Sequence, residues 1–201
     1  MKKLFLVAAA FIMGAAAYAQ TGKTSFGLKA GINLPKYRYE DSGSSTKTIT
    51  SYHLTGYADI PFSTAVSFQP GISLQGKGGK VTILGNDITH DVMSIDIPLN
   101  IVGYFPAGPG KVFIGAGPYV GFNVSGKDKI NGDKSDTNIG NKNTDSIKGT
   151  DVGLNGLVGY QFASGFNIGA GYGLGLSNLK PGDGSIKKNN RVLSFSVGFA
   201  F

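Results

Sequence analysis

The chain has 201 residues, 41% hydrophobic and only 15% charged, with 19 Lys and Arg against 12 Asp and Glu and a formal net charge of +7. Its 32 Gly are about 16% of the chain, roughly twice the usual share, while 13 Phe and 9 Tyr argue against a disordered polymer. The absence of Cys excludes a disulfide scaffold, a Cys-ligated metal or iron–sulfur site, a thiol nucleophile and a lipid-anchored amino terminus, and two His with one Glu (Glu40) leave little for a metalloenzyme or a paired-carboxylate site.

The chain opens with Met1-Lys2-Lys3, an apolar run over residues 4–13, and Gly14-Ala15-Ala16-Ala17-Tyr18-Ala19-Gln20. A basic start, a short apolar core and an A-x-A ending predict a secretory signal over residues 1–19, cleaved after Ala19. The run is shorter than the ~20 residues of a spanning helix. Removing Lys2 and Lys3 leaves 17 basic against 12 acidic residues, +5, over the remaining 182, expected to form one domain at residues 20–201. No other stretch is long and apolar enough for a membrane helix, so insertion would have to use strands.

From there on, apolar residues recur at every second position. The bulky faces are Phe26, Leu28, Ala30, Ile32, Leu34; Tyr52, Leu54, Ala58, Ile60, Phe62; Val66, Phe68, Pro70, Ile72, Leu74; and Met93, Ile95, Ile97, Leu99, Ile101, Phe105. Four more follow: Val112, Ile114, Ala116, Val120, Phe122, Val124; Val152, Leu154, Val158, Tyr160, Phe162; Phe166, Ile168, Ala170, Tyr172, Leu174, Leu176; and Leu193, Phe195, Val197, Phe199, Phe201. The alternate face is Gly, Ser and Asn, as in Gly169, Gly171, Gly173 and Gly175. A water-facing strand would not favour so much Gly, whereas small residues fit the narrow inside of an eight-stranded barrel. The expectation is therefore an all-β, closed, antiparallel eight-stranded transmembrane β-barrel whose bulky face meets lipid.

The gaps between segments alternate long and short: residues 35–51, 63–65, 76–91, 106–111, 125–150, 163–165 and 177–191. Long outer loops with short periplasmic turns are the pattern of outer-membrane barrels, and an even strand count puts both termini in the periplasm. Phe26, Phe62, Phe105, Phe162, Phe166 and Phe201 lie beside a short turn or terminus on the bulky phase, as an interfacial aromatic girdle would. The terminal set Leu193, Phe195, Val197, Phe199 and Phe201 has the pattern read by barrel insertion machinery.

The opening Phe26-Gly27-Leu28-Lys29-Ala30-Gly31-Ile32-Asn33-Leu34, Ser94-Ile95-Asp96-Ile97-Pro98-Leu99, Gly115-Ala116-Gly117-Pro118-Tyr119-Val120-Gly121 and the terminal run over residues 193–201 resemble the PorT-like family of small outer-membrane barrels, similar in architecture to OmpA and OmpX. The resemblance implies eight strands and, for some relatives, assembly of a protein secretion system. It implies no catalytic residues.

Candidate chemistry is sparse. Residues 71–77 match most of a phosphate-binding G-x-x-x-x-G-K loop, but Gly78 stands where Ser or Thr should be and no helix can follow. His53 with Ser51, and His90 with Asp91 and Ser94, are the only starting material for a lipid-modifying hydrolase, and G-x-S-x-G is missing. Asp128, Asp133, Asp136 and Asp145 crowd one loop without Ca²⁺-loop spacing. Lys29, Asp59 and Asp96 fall on the inward phase; if the first hairpin pairs Leu34 with Tyr52, Lys29 faces Tyr57 one diagonal step from Asp59, Asp96 reaches across, and Asn33, Tyr57, Gln69, Asn100 and Tyr104 complete a polar plug. All Lys and Arg of residues 20–201 except Lys23, Lys29 and Lys111 fall in outer loops and strand tips, where lipopolysaccharide phosphates are the expected contact and nucleic acid is not. No catalytic, cofactor or metal site is expected. The function expected is a structural or docking role, accessory to protein secretion, with a small-solute pore or a lipid-modifying enzyme as alternatives.

Overall fold

The computed structural model describes residues 23–40, 44–83, 86–130, 133–140, 142, 144–182 and 187–201; the expected signal at residues 1–19 lies outside them. Aromatic and β-branched residues at alternate positions favour extended backbone, and the described residues form β1 (Ser25–Tyr39), β2 (Ser51–Pro61), β3 (Val66–Ile83), β4 (Asn86–Ala107), β5 (Gly110–Ile130), β6 (Asp133–Asp136), β7 (Thr150–Gln161), β8 (Phe166–Gly175) and β9 (Lys188–Ala200). They pair in the order β4-β3-β2-β1-β9-β8-β7-β5-β6, with β4 also paired to β5. That last pairing closes a ring of eight strands, all antiparallel to their neighbours. Strand β6 joins only the far end of β5.

The bulky faces point out of the ring. Ile72, Ile101, Val158 and Val197 are exposed around the wall, while Asn33, Ser73, Asp96, Asn100, Val102 and Phe113 on the opposite phase are buried inside it. The short turns gather at one end, closed by bonds such as Phe62 N–H to Val66 O (2.8 Å) and Phe162 N–H to Phe166 O (2.8 Å). The two chain ends meet there as well: Phe26 N–H donates to Phe201 O (3.0 Å), and Phe201 N–H to Phe26 O (2.8 Å). We call this the terminus end and the opposite one the loop end.

Two expectations need correction. The span read as a loop over residues 76–91 is mostly strand, since β3 runs to Ile83 and β4 starts at Asn86; β1, β5 and β9 likewise run past their apolar residues, to Tyr39, to Ile130 and back to Lys188. Charged and polar side chains had marked these stretches as loop, but a strand is held by its backbone ladder, and Val81, Thr82, Ile88 and Thr89 keep strong β preference there. The first hairpin also pairs Asn33 with Ser51 and Ile32 with Tyr52, so Lys29 faces Thr55 and not Tyr57. This is a two-residue slip from the expected register, and such a slip leaves every side chain on its own face.

Inside the ring, glycine and bulk are matched. A Cβ on Gly27 would lie 2.3 Å from the Tyr57 ring, one on Gly159 2.3 Å from Phe113, and one on Gly153 2.6 Å from Tyr119. These inward glycines are the space that the aromatic rings occupy. Near the terminus end Val102, Tyr104 and Phe113 form a buried cluster with Leu157 against it. At the loop end Tyr37, Val92, Ile147 and Leu179 make a second cluster across the mouth, braced by Lys148 N–H to Leu179 O (2.9 Å) and Leu179 N–H to Lys188 O (2.8 Å).

Gly159→Ala should destabilise the barrel by about 1–3 kcal/mol through overpacking. Gly156→Ala, whose new Cβ would have nothing within 4 Å, should be near neutral. Urea midpoints in detergent, read from the heat-modifiable band, measure both.

Candidate functional site

The lumen holds one lysine between two aspartates. Lys77 lies on β3 on the inward phase of Gln69, Ser73 and Gln75, Asp96 on β4 and Asp151 on β7. The Lys77 ammonium is 2.9 Å from Asp96 Oδ2 and 3.0 Å from Asp151 Oδ2, and 4.7 Å from the centre of the Tyr119 ring. Each carboxylate is further satisfied. Asp151 accepts from Tyr119 OH (3.0 Å), Asn190 Nδ2 (2.9 Å) and Ser177 Oγ (2.8 Å), and Asp96 from Ser94 Oγ (2.6 Å). Gly121 faces the cluster; a Cβ there would lie 2.3 Å from Asp96 Oδ1. Buried ions are tolerable only when their remaining lone pairs are bonded in this way.

The expected constellation of Lys29, Asp59 and Asp96 is not brought together. Asp96 binds Lys77, a residue the sequence had left in a loop. Lys29 points between aromatic rings, 4.5 Å from the centre of Tyr57 and 5.1 Å from that of Phe113, and no carboxylate of the described residues lies within salt-bridge distance of it. Asp59 accepts from Gln69 Nε2 (2.8 Å) and Tyr104 OH (3.1 Å). Asn33, fully buried, donates to Gln75 Oε1 (2.7 Å) and Gly76 O (3.0 Å) and contacts His53 Nδ1 at 2.8 Å. Between the Lys29 and Lys77 levels lies a cavity of about 120 Å³, lined by His53, Gln75, Asn100, Asn155 and Ser194 among others. That is room for a few waters.

Sequence reasoning missed Lys77, Asp151, Tyr119 and Asn190. Carrying the inward phase of β3 one step past Gln75, and that of β7 one step back from Gly153, would have found the first two. Phe113 and Leu157 were missed as well: each lies among apolar neighbours (Val112 and Ile114; Val158), so alternation is silent about them.

Elsewhere, Phe26, Phe62, Phe105, Phe162, Phe166 and Phe201 are exposed outward at the terminus end. Leu193, Phe195, Val197 and Phe199 face outward on β9, which seals the ring against β1 from Gly27↔Ala200 to Tyr39↔Lys188. At the loop end His90 Nδ1 and Thr137 Oγ1 both reach Asp128 Oδ1, at 2.7 and 2.8 Å. Among the described residues no group of three or more His, Asp or Glu is placed to hold a metal ion.

Lys188 lies beyond the apolar band, which ends at Leu34 and Leu193, with its ammonium 3.9 Å from the centre of the Tyr37 ring. Burial pulls its ammonium down to about 8 from an ordinary 10.5, against the opposing pull of Asp128.

Lys77→Met leaves two buried carboxylates without their cation and should cost about 3–5 kcal/mol in detergent unfolding; adding Asp151→Asn to it should recover part of the loss. For Lys188 the folded pKa is the lower one, so between about pH 8 and 10.5 the unfolded chain holds the proton and the folded barrel does not. Stability should therefore rise with pH across that window, by about 3 kcal/mol at most, relative to Lys188→Met. Paired urea titrations at the two pH values check the sign.

A family model described as an outer membrane protein beta-barrel domain matches residues 5–201. No curated protein matches the chain. Among solved structures, Neisserial surface protein A is 16% identical with a TM-score of 0.51, covering 89% of this chain and 98% of that one. OprG from Pseudomonas aeruginosa is 14% identical with a TM-score of 0.51, covering 90% and 97%, and Ail of Yersinia pestis is 15% identical with a TM-score of 0.49, covering 90% and 100%. At these identities the first two speak to the fold alone, and they agree with the eight-stranded ring. The chain belongs to the outer membrane protein β-barrel domain family and is an integral protein of the bacterial outer membrane.

Proposed function

We propose that this barrel is a noncatalytic docking protein, accessory to a protein-secretion assembly as its PorT-like features imply, with its termini in the periplasm and its loop end outside the cell. The observation that carries this reading is where the structure leaves surface free to work. The lumen is filled at two levels, by the Lys77 cluster and by Val102, Tyr104, Phe113 and Leu157, while β3, β4 and β5 extend beyond the apolar band as 18-, 22- and 21-residue strands. Short turns at one end and long excursions at the other support the orientation. The histidines support a noncatalytic role: His53 is tied to Asn33, and His90 shares its carboxylate with Thr137. During assembly the partner would be the insertion machinery, reading β9. The cavity of about 120 Å³ favours a second reading, a small-solute pore.

Because the chain has no Cys, a single introduced thiol is a unique probe. Thr82→Cys, near the tip of the β3–β4 hairpin, should react with an impermeant maleimide on intact cells, and Ser63→Cys, in a short turn, should not; the reverse pattern inverts the orientation. A photocrosslinker on the Thr82→Cys thiol should capture an envelope protein, and pure wild-type protein should give no steady conductance in planar bilayers. Reproducible open channels with no crosslinked partner would make the pore the better reading.

A further inference from the structure

The outward face carries a row of cations just past the apolar band. On β1, Lys36 follows Leu34 on the outward phase and stands directly opposite Arg191 of β9, which precedes the outward Leu193. Two residues along a strand is about 7 Å, so this pair sits at headgroup depth, above the hydrocarbon. The row continues sideways. Residues 44–49 extend the wall beyond β2: Thr46 N–H donates to Tyr37 O (2.9 Å) and Ile49 N–H to Pro35 O (3.1 Å), which brings Lys47 and Thr48 beside Lys36. Lys47 in turn exchanges both backbone bonds with Lys80 of β3 (2.7 and 2.9 Å).

Like charges directly opposite in a sheet are destabilising, and here they occur twice in succession. Asp87 meets Lys80 at 2.5 Å. Among the described residues, however, no carboxylate lies within 4.0 Å of Lys36, Lys47, Arg191 or the exposed Arg38. Arg191 is also held in place: its Nη1 donates to Gly175 O and Asn190 O, both at 2.7 Å. That uses two of five guanidinium donors and leaves the Nε–Nη2 edge, the one that meets a phosphate in bidentate fashion.

We propose that Arg191, Lys36 and Lys47 bind the phosphate groups of lipopolysaccharide in the outer leaflet, with Arg38 above them. The assignment rests on the orientation proposed above. Depth selects this ligand over a soluble acidic partner, because Arg191 and Lys36 lie where lipid headgroups already are, and bound phosphate cancels the repulsion built into the row.

The test is binding in detergent, which does not depend on orientation in the cell, so its failure is distinguishable from a failure of thiol labelling. Native mass spectrometry would follow adducts of wild-type barrel with phosphorylated lipid A, with the same lipid after removal of its phosphates, and with inorganic phosphate as competitor. Wild type should prefer the phosphorylated lipid, and Lys36→Gln/Arg191→Gln should weaken that binding on the order of tenfold while keeping the heat-modifiable mobility of a folded barrel. Should the double variant not fold, Lys36→Gln alone leaves the backbone bonds of Arg191 in place and should show a smaller loss of the same sign. Equal affinity for the two lipids, or unchanged affinity in the folded variants, overturns the proposal. Displacement by inorganic phosphate at equal concentration overturns the lipid assignment in favour of the free ion.

Discussion

In hydrocarbon, a backbone N–H or C=O without a partner costs several kcal/mol, and the rest of this structure follows from meeting that constraint. β1 is bonded on both sides, to β2 and β9, and β4 on both sides, to β3 and β5, so none of the eight wall strands has a free edge within the apolar band. With the backbone satisfied by the ring, the outer face is free to be apolar and the inner face is limited by volume. The same pairing continues past the membrane, where residues 44–49 replace β2 between β1 and β3 through Thr46, Lys47 and Ile49.

Volume then governs the interior. Eight strands leave a lumen just wide enough for side chains, so large residues must face small ones. Tyr57 over Gly27, Phe113 over Gly159 and Tyr119 over Gly153 are that rule in three places. The rings serve the cations of the inward phase as well: Lys29 rests between Tyr57 and Phe113, Lys77 over Tyr119, Lys111 over Tyr104 at 3.7 Å. Such contacts are worth about 0.5–2 kcal/mol each, which offsets part of the cost of a lysine in a narrow lumen.

The outward face was legible in the sequence because lipid favours bulky apolar residues at most outward steps, from Phe26 through Phe201, with Gly56, Gly103 and Gly156 as gaps in the pattern. The strand ends were not, because past Leu34, Leu74 and Leu193 the side chains turn polar while the backbone ladder carries on. The site was half legible. Asp96, Asn33 and Asn100 were placed inward by phase alone, but the partner of Asp96 was sought among strand residues and not in Lys77, which follows a glycine and resembles loop. Nothing in the alternation could have chosen between pairing Leu34 or Ile32 with Tyr52, since both have the same phase.

That degeneracy shows what the lumen contributes. A two-residue slip of β3 against β4 would leave the apolar band facing lipid, at little cost there, yet it would carry Lys77 about 7 Å along the strand relative to Asp96. The buried ammonium would lose a carboxylate it meets at 2.9 Å, and a buried charge stripped of its partner is among the more expensive defects a fold can carry. The penalty reaches beyond one hairpin: the contacts of Asp151 to Lys77, Tyr119, Ser177 and Asn190 draw in β5, β9 and the chain just after β8. Lipid thus fixes which face of each strand looks outward, and the polar network fixes how far each strand slides.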